Sequence, residues 1–142
     1  MKVYVWLYRS RATRHLKSSE ILELLNRARL NNSQLHLTGM LLFHNGCFTQ
    51  VLEGDRADVT RMKDKISSDS RHEDIVTLYE GERDSRVFSS WSMAFRKPTE
   101  LEREKLEHYL PLDWAARTLT SVDIRGQLND AFHVMADWAM QA

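Results

Sequence analysis

Apolar and polar residues follow one another along this chain in two rhythms, one of period two and one of period three to four. Residues 2–8, KVYVWLY, are a β-rich run with Tyr4, Trp6 and Tyr8 on one face and Val3, Val5 and Leu7 on the other. With both faces apolar, the pattern predicts a central strand covered on both sides, ending at Tyr8. Arg9 to Lys17 is polar and reads as a loop. A helical period follows, with Ser18 or Ser19 as cap and Glu20 in the first turn, where negative charge suits the dipole. Its apolar positions are Ile21, Leu24, Leu25 and Ala28. That stripe runs into Asn31 and Asn32, which the pattern places at the helix end. A C-terminal cap in the left-handed conformation accounts for one of them; the pair together points to a polar pocket between helix and sheet.

Two apolar runs flank Asn45-Gly46 and predict a hairpin with a type I′ turn. His44 then pairs with Cys47, Phe43 with Phe48, Leu42 with Thr49 and Leu41 with Gln50. Phe48, Gln50 and Leu52 share a face with Leu41 and Phe43, so a primary amide sits in an apolar patch. Buried without a partner, that amide would cost about 1–3 kcal/mol. A backbone carbonyl, an ordered water or a ligand with its own donors and acceptors has to meet it.

Further on, Asp55 caps a second helix with the stripe Val59, Met62 and Ile66, and Asp69 falls next on it. A strand, IVTLYEG, lies within 72–81. A polar loop with Arg83, Asp84 and Arg86 leads to a further strand, SSWSMAFR, with Trp91, Met93 and Phe95 on one face. After Pro98, Thr99 and Glu102 form a capping box that opens a short helix through Leu101, Leu106, Tyr109 and Leu110 to Pro111. Beyond Trp114 and Ser121 comes a longer amphipathic helix with the stripe Ile124, Leu128, Ala131, Met135 and Trp138, and Phe132 alongside. The order predicts an α+β fold: a ferredoxin-like βαββαβ sandwich with both helices on one sheet face and a fifth strand. Two C-terminal helices cover the other face, and they also offer a partner or dimer surface.

Composition narrows this picture. The 142 residues suffice for one domain with a real core, and zero net charge removes the broad field expected of a nucleic-acid binder or an anionic-membrane binder. A lone cysteine, Cys47, rules out an internal disulfide and fits a reducing compartment. With no secretory segment and no uncharged stretch of membrane length, a cytoplasmic location is expected. Enzyme chemistry is not visible. No Gly-rich phosphate loop follows a strand, the histidines are dispersed, and Cys47 has no obvious base beside it. Arg9, Arg11 and Arg14 could hold a phosphate, though such a loop is more often solvated.

One constellation remains: Tyr8, Asn31, Asn32, Gln50, Trp91 and Met93. Singly, each is an ordinary core or boundary residue. Together with LTGMLLF, FTQVLEG, DSRHED and WSM they make residues 1–97 resemble a BLUF domain, the family of blue-light sensors using flavin. The resemblance implies an FAD ring between the two helices over the sheet, with FMN as the alternative. Tyr8 would be the electron and proton donor. Gln50 would bridge Tyr8 and the ring's N5/O4 edge and rearrange in light, by rotation or tautomerisation. Asn32 would hold the O4/N3 edge and Asn31 the opposite carbonyl side. Leu24 and Ile66 would flank the ring and Phe48 line the pocket, with Lys65, Asp69, Arg71 and His72 near the ribityl chain or outer edge. Lys65 stands where relatives often carry Arg, so a bidentate contact there is not expected. Either Trp91 or Met93 would lie beside Gln50. Residues 98–142 would be a helical cap and output segment. As in short BLUF proteins, rather than those fused to a cyclase or phosphodiesterase, the output would be contact with a separate signalling protein, from a homo-oligomer. Three rivals are set against this: a flavin-binding module without photoswitching, an acylphosphatase-like enzyme lacking that family's Gly-rich loop, and a nucleic-acid binder.

Overall fold

The computed structural model describes residues 2–107 and 124–141. Its strands are β1 (Val3–Ala12), β2 (Thr38–His44), β3 (Cys47–Gly54), β4 (His72–Arg83) and β5 (Ala94–Arg96). Its helices are α1 (Ser18–Gln34), α2 (Arg56–Ser67), α3 (Glu100–Glu107) and α4 (Ile124–Gln141). The strands form one sheet in the order β4-β1-β3-β2-β5, antiparallel except that β5 runs parallel to β2. This is the ferredoxin-like arrangement with an added edge strand.

The two apolar faces of β1 lead into two cores. Trp6 and Tyr8 pack with Ile21 and Leu25 of α1 and Val59 and Met62 of α2. Val5 and Leu7 pack on the other side with Leu106 of α3 and Ala131, Phe132, Met135 and Trp138 of α4. Tyr109, Leu110, Pro111, Trp114 and Ser121, and the side chains of Ile124 and Leu128, lie outside the described residues. Among the described residues, no helix is long and apolar enough to cross a membrane.

The hairpin has the expected register from His44↔Cys47 to Leu41↔Gln50, and both turn residues take positive φ, Asn45 at 49° and Gly46 at 76°. The capping box at α3 is reciprocal. Thr99 N–H donates to Glu102 Oε1 at 3.0 Å, and Glu102 N–H to Thr99 Oγ1 at 3.2 Å.

Elsewhere the boundaries move. β1 does not end at Tyr8: Arg9, Ser10 and Arg11 pair with Thr49, Phe48 and Cys47, because β3 continues to the hairpin turn and offers them partners. Arg9 is 2% exposed, Arg11 pairs with Asp74 and Arg14 with Glu20, so these arginines form no phosphate loop. α1 begins after Lys17, whose N–H is met by Glu20 Oε1, rather than at a serine cap. It also runs through Asn31 and Asn32 to Gln34. His36 takes the left-handed position instead, at φ 55°, and Leu37 N–H reaches back to Asn32 O at 2.8 Å. β4 is longer than expected, and α2 ends before Asp69. Leu101 is exposed rather than on the buried side of α3.

The predicted strand SSWSMAFR shrinks to Ala94–Arg96. Before it the chain passes from one sheet face to the other: Phe88 and Trp91 join the core facing α4, and Met93 joins the core facing α1. Trp91 and Met93 therefore do not share a face.

Candidate functional site

Between α1 and α2 the sheet is left open by a cleft of about 460 Å³, a size suited to a small-molecule ligand. Tyr8, Leu41, Phe48 and Gln50 line it from the strands, Leu24, Ala28, Asn31 and Asn32 from α1, and Met62, Lys65 and Ile66 from α2. Asp69, Arg71 and His72 line it from the connection into β4. Trp91 and Met93 do not line it, but Met93 meets it through Gln50. Arg27 and Leu30 of α1 line the cleft as well. The helix stripes signal Ala28 and Met62, whereas Arg27 and Leu30 lie off the stripe and carry no such signal.

Tyr8 and Gln50 are register partners on adjacent strands, which puts their side chains together on one face. The Tyr8 hydroxyl donates to Gln50 Oε1. That fixes the amide's other end, and Gln50 Nε2 donates to Met93 Sδ at 3.7 Å. Burial pushes the Tyr8 phenol well above its ordinary value, and the charge of Asp69 adds to the effect, so the phenol is protonated. Trp6 stacks on the Tyr8 ring, with centroids 4.2 Å apart, and is held by its indole N–H on Thr77 Oγ1 at 3.0 Å.

Asn32 is buried, and its Nδ2 donates to Ser92 O at 2.8 Å. That leaves Oδ1 as the group able to accept from a ligand N–H. His72 is fixed at both nitrogens. Its Nε2 lies 2.7 Å from Ile66 O, which only accepts, so this nitrogen carries the proton; in the neutral ring Nδ1 accepts from Ser10 Oγ at 2.7 Å. Asp69 accepts from the Arg71 guanidinium, Nε lying 3.0 Å from either oxygen, and from Arg71 N–H at 2.9 Å. The guanidinium bond holds the Asp69 carboxyl below its ordinary 3.8, against the opposing effect of burial. The ionised form therefore stabilises the fold above about pH 4, and this contribution is lost as pH falls through the depressed folded value. Asp69→Asn is expected to have a thermal midpoint that depends less on pH below about 4 than the parent's. Parallel acid limbs in the two proteins would refute the assignment.

The residues fit a flat heteroaromatic with amide-like edges. Asn32 Oδ1 and the Gln50 amide offer an acceptor and a donor–acceptor pair within an otherwise largely apolar slot. Among the described residues, no group of three or more His, Cys, Asp or Glu could hold a metal.

Comparison with known proteins agrees. Residues 3–94 match the family model described as BLUF, sensors of blue-light using FAD. The chain is 31% identical over 121 residues to a photoactivated adenylate cyclase subunit beta of Euglena longa, covering 82% of this chain and 14% of that protein. Among solved structures, the dark state of BlrB, a BLUF protein, superposes with a TM-score of 0.73 at 25% identity, covering 96% of this chain and 97% of that one. A bacterial light-regulated adenylyl cyclase superposes with a TM-score of 0.68 at 30% identity, over 75% of this chain and 32% of the other. The chain thus spans only a small part of the cyclases it matches.

Proposed function

The chain belongs to the BLUF family of blue-light flavin sensors, and from that premise we propose that residues 1–97 bind FAD in the α1–α2 cleft and switch in blue light through Tyr8 and Gln50. The observation that carries this reading is the buried chain Tyr8–Gln50–Met93 at the floor of the cleft. Asn32 and Gln50 would hold one edge of the ring and Asn31 the opposite carbonyl. Leu24 and Ile66 would flank it, with Phe48 beneath and Lys65, Asp69, Arg71 and His72 towards the mouth. Bound there, the flavin supplies absorption of blue light and an acceptor for one electron.

Tyr8 is the proposed electron and proton donor. Its proton would pass along the existing bond from Oη to Gln50 Oε1, while one Nε2 proton passes on to the ring that takes the electron. Gln50 thus stays neutral, and the return of proton and electron restores the phenol and the amide. Gln50 is suited to a switch because its amide has unlike ends. Rotation about its last torsion points Nε2 at Tyr8 Oη, which can accept, and turns Oε1 towards Met93 Sδ, which has no proton to give. The rotated amide thus loses the Nε2 to Met93 contact, which favours relaxation in the dark.

Residues 98–142 are proposed as the output segment. Arg96 of β5 binds Glu102 of α3, and its guanidinium lies 5.6 Å from the Trp138 ring of α4, which joins the sheet to both helices. A separate signalling protein as partner, a homo-oligomeric state and a cytoplasmic location complete the reading. The single cysteine supports the last of these.

The test is an absorption spectrum of the purified protein in the dark and just after blue illumination, with the extracted cofactor weighed to separate FAD from FMN. A flavin spectrum that shifts red and relaxes in the dark is expected. Bound flavin without a reversible shift would favour a module that no longer switches, and folded protein that takes up no flavin would end the proposal.

A further inference from the structure

Glu53 lies three residues beyond Gln50 on β3 and faces the opposite side of the sheet, where it is 1% exposed. A carboxylate so desolvated persists only with several donors, and this one has three. Oε1 accepts from Thr38 Oγ1 at 2.8 Å and from Phe88 N–H at 2.6 Å, and Oε2 accepts from Val87 N–H at 2.8 Å. Arg86 Nη1 in turn donates to Thr38 Oγ1 at 3.0 Å and to His36 O at 2.8 Å, so positive charge stands one hydroxyl away.

The two amides that Glu53 holds begin the segment that carries Trp91 and Met93 around the edge of β2. Along it, Trp91 N–H closes a turn on Phe88 O at 3.0 Å, and Gly39 N–H meets Trp91 O at 3.2 Å. Arg29 Nε then meets Met93 O at 3.0 Å. The last residue puts its sulfur on Gln50 Nε2. A slip of this segment along β2 would draw the Met93 sulfur away from Gln50 Nε2. The bonds that resist such a slip at its start are the charge-assisted pair on Glu53.

We propose that Glu53 is a positioning residue for the Gln50 switch: by gripping the amides of Val87 and Phe88 it sets the register that seats Met93 against Gln50. The proposal rests on the reading of Gln50 as the switching group, but the contact it concerns can be followed without light or flavin.

The experiment is NMR of the flavin-free full chain with the Met93 methyl and the Gln50 side-chain amide as probes, in the parent, Glu53→Gln and Glu53→Asp. Glutamine presents an N–H where one backbone N–H now donates, so a bond is lost; aspartate keeps the charge but falls a methylene short. In both, exchange of the Val87 and Phe88 amides is expected to quicken by roughly tenfold or more, the equivalent of one lost charge-assisted bond. The Met93 methyl and Gln50 amide resonances should move with it. Thr38→Val, which keeps both backbone bonds, should leave those two resonances in place. Faster exchange at 87 and 88 with unmoved Met93 and Gln50 resonances, in either folded variant, would reduce Glu53 to a structural anchor and overturn the proposal. Absence of any light response in the flavin-loaded parent would instead count against the photoreceptor reading, and the two failures are read in different samples.

Discussion

Tyr8→Phe is expected to bind flavin and to show no light-induced red shift. The change removes one oxygen from the floor of the cleft and leaves the ring, so the stack on Trp6 at 4.2 Å and the apolar lining persist. It also removes the donor to Gln50 Oε1. A buried acceptor left without its partner costs about 1–3 kcal/mol, which lowers stability without dismantling a core held by Trp6, Leu41 and Leu52. Phenylalanine has no phenolic proton to transfer, so the proposed cycle stops at its first step. Gln50→Leu should give the same spectral silence from the other end, with the Tyr8 hydroxyl now unpartnered. The measurement is the difference spectrum after blue illumination, at equal flavin loading. A full reversible shift in Tyr8→Phe would remove Tyr8 from the mechanism.

The second large effect falls at a position without polar chemistry. Gly39 sits in β2 opposite Leu52, and a Cβ built there would meet the carbonyl oxygen of Val51 at 1.9 Å. The obstacle is backbone, so no rotamer relieves it. An alanine would have to push β2 off β3 beside the Leu41–Gln50 pair and strain the Gly39 N–H bond to Trp91 O. Overpacking typically costs about 1–3 kcal/mol, and a backbone obstacle that cannot rotate away puts this site at the upper end of that range. Gly39→Ala should therefore unfold at markedly lower urea than the parent, or fail to accumulate as folded protein. A variant within about 0.5 kcal/mol of the parent, the range of an ordinary surface change, would show that the two strands do not approach this closely.

Several features of this protein were legible from the chain itself, because they depend on residues close together in sequence. The type I′ turn follows from Asn45-Gly46, and a two-residue loop there sets the pairing of Leu41 with Gln50 by counting out from the turn. The helix stripes and the two-sided apolar pattern of β1 gave two layers on one sheet, and the Thr99–Glu102 box gave the start of α3.

Tertiary structure decided what depends on a distant partner. Arg9 and Ser10 look like loop residues until β3 runs alongside them, and α1 passes through Asn31 and Asn32 because Asn32 spends its amide on Ser92 O and the helix closes on His36. Alternation puts Trp91 and Met93 on one face only if the segment is a strand, whereas the chain there crosses the sheet edge. The meeting of Tyr8 with Gln50, the burial of Glu53 under two amides of a remote segment, and the need for glycine at 39 have the same origin. Each is set by registers between strands and segments far apart in the chain, and a local pattern of apolar and polar residues carries no information about those.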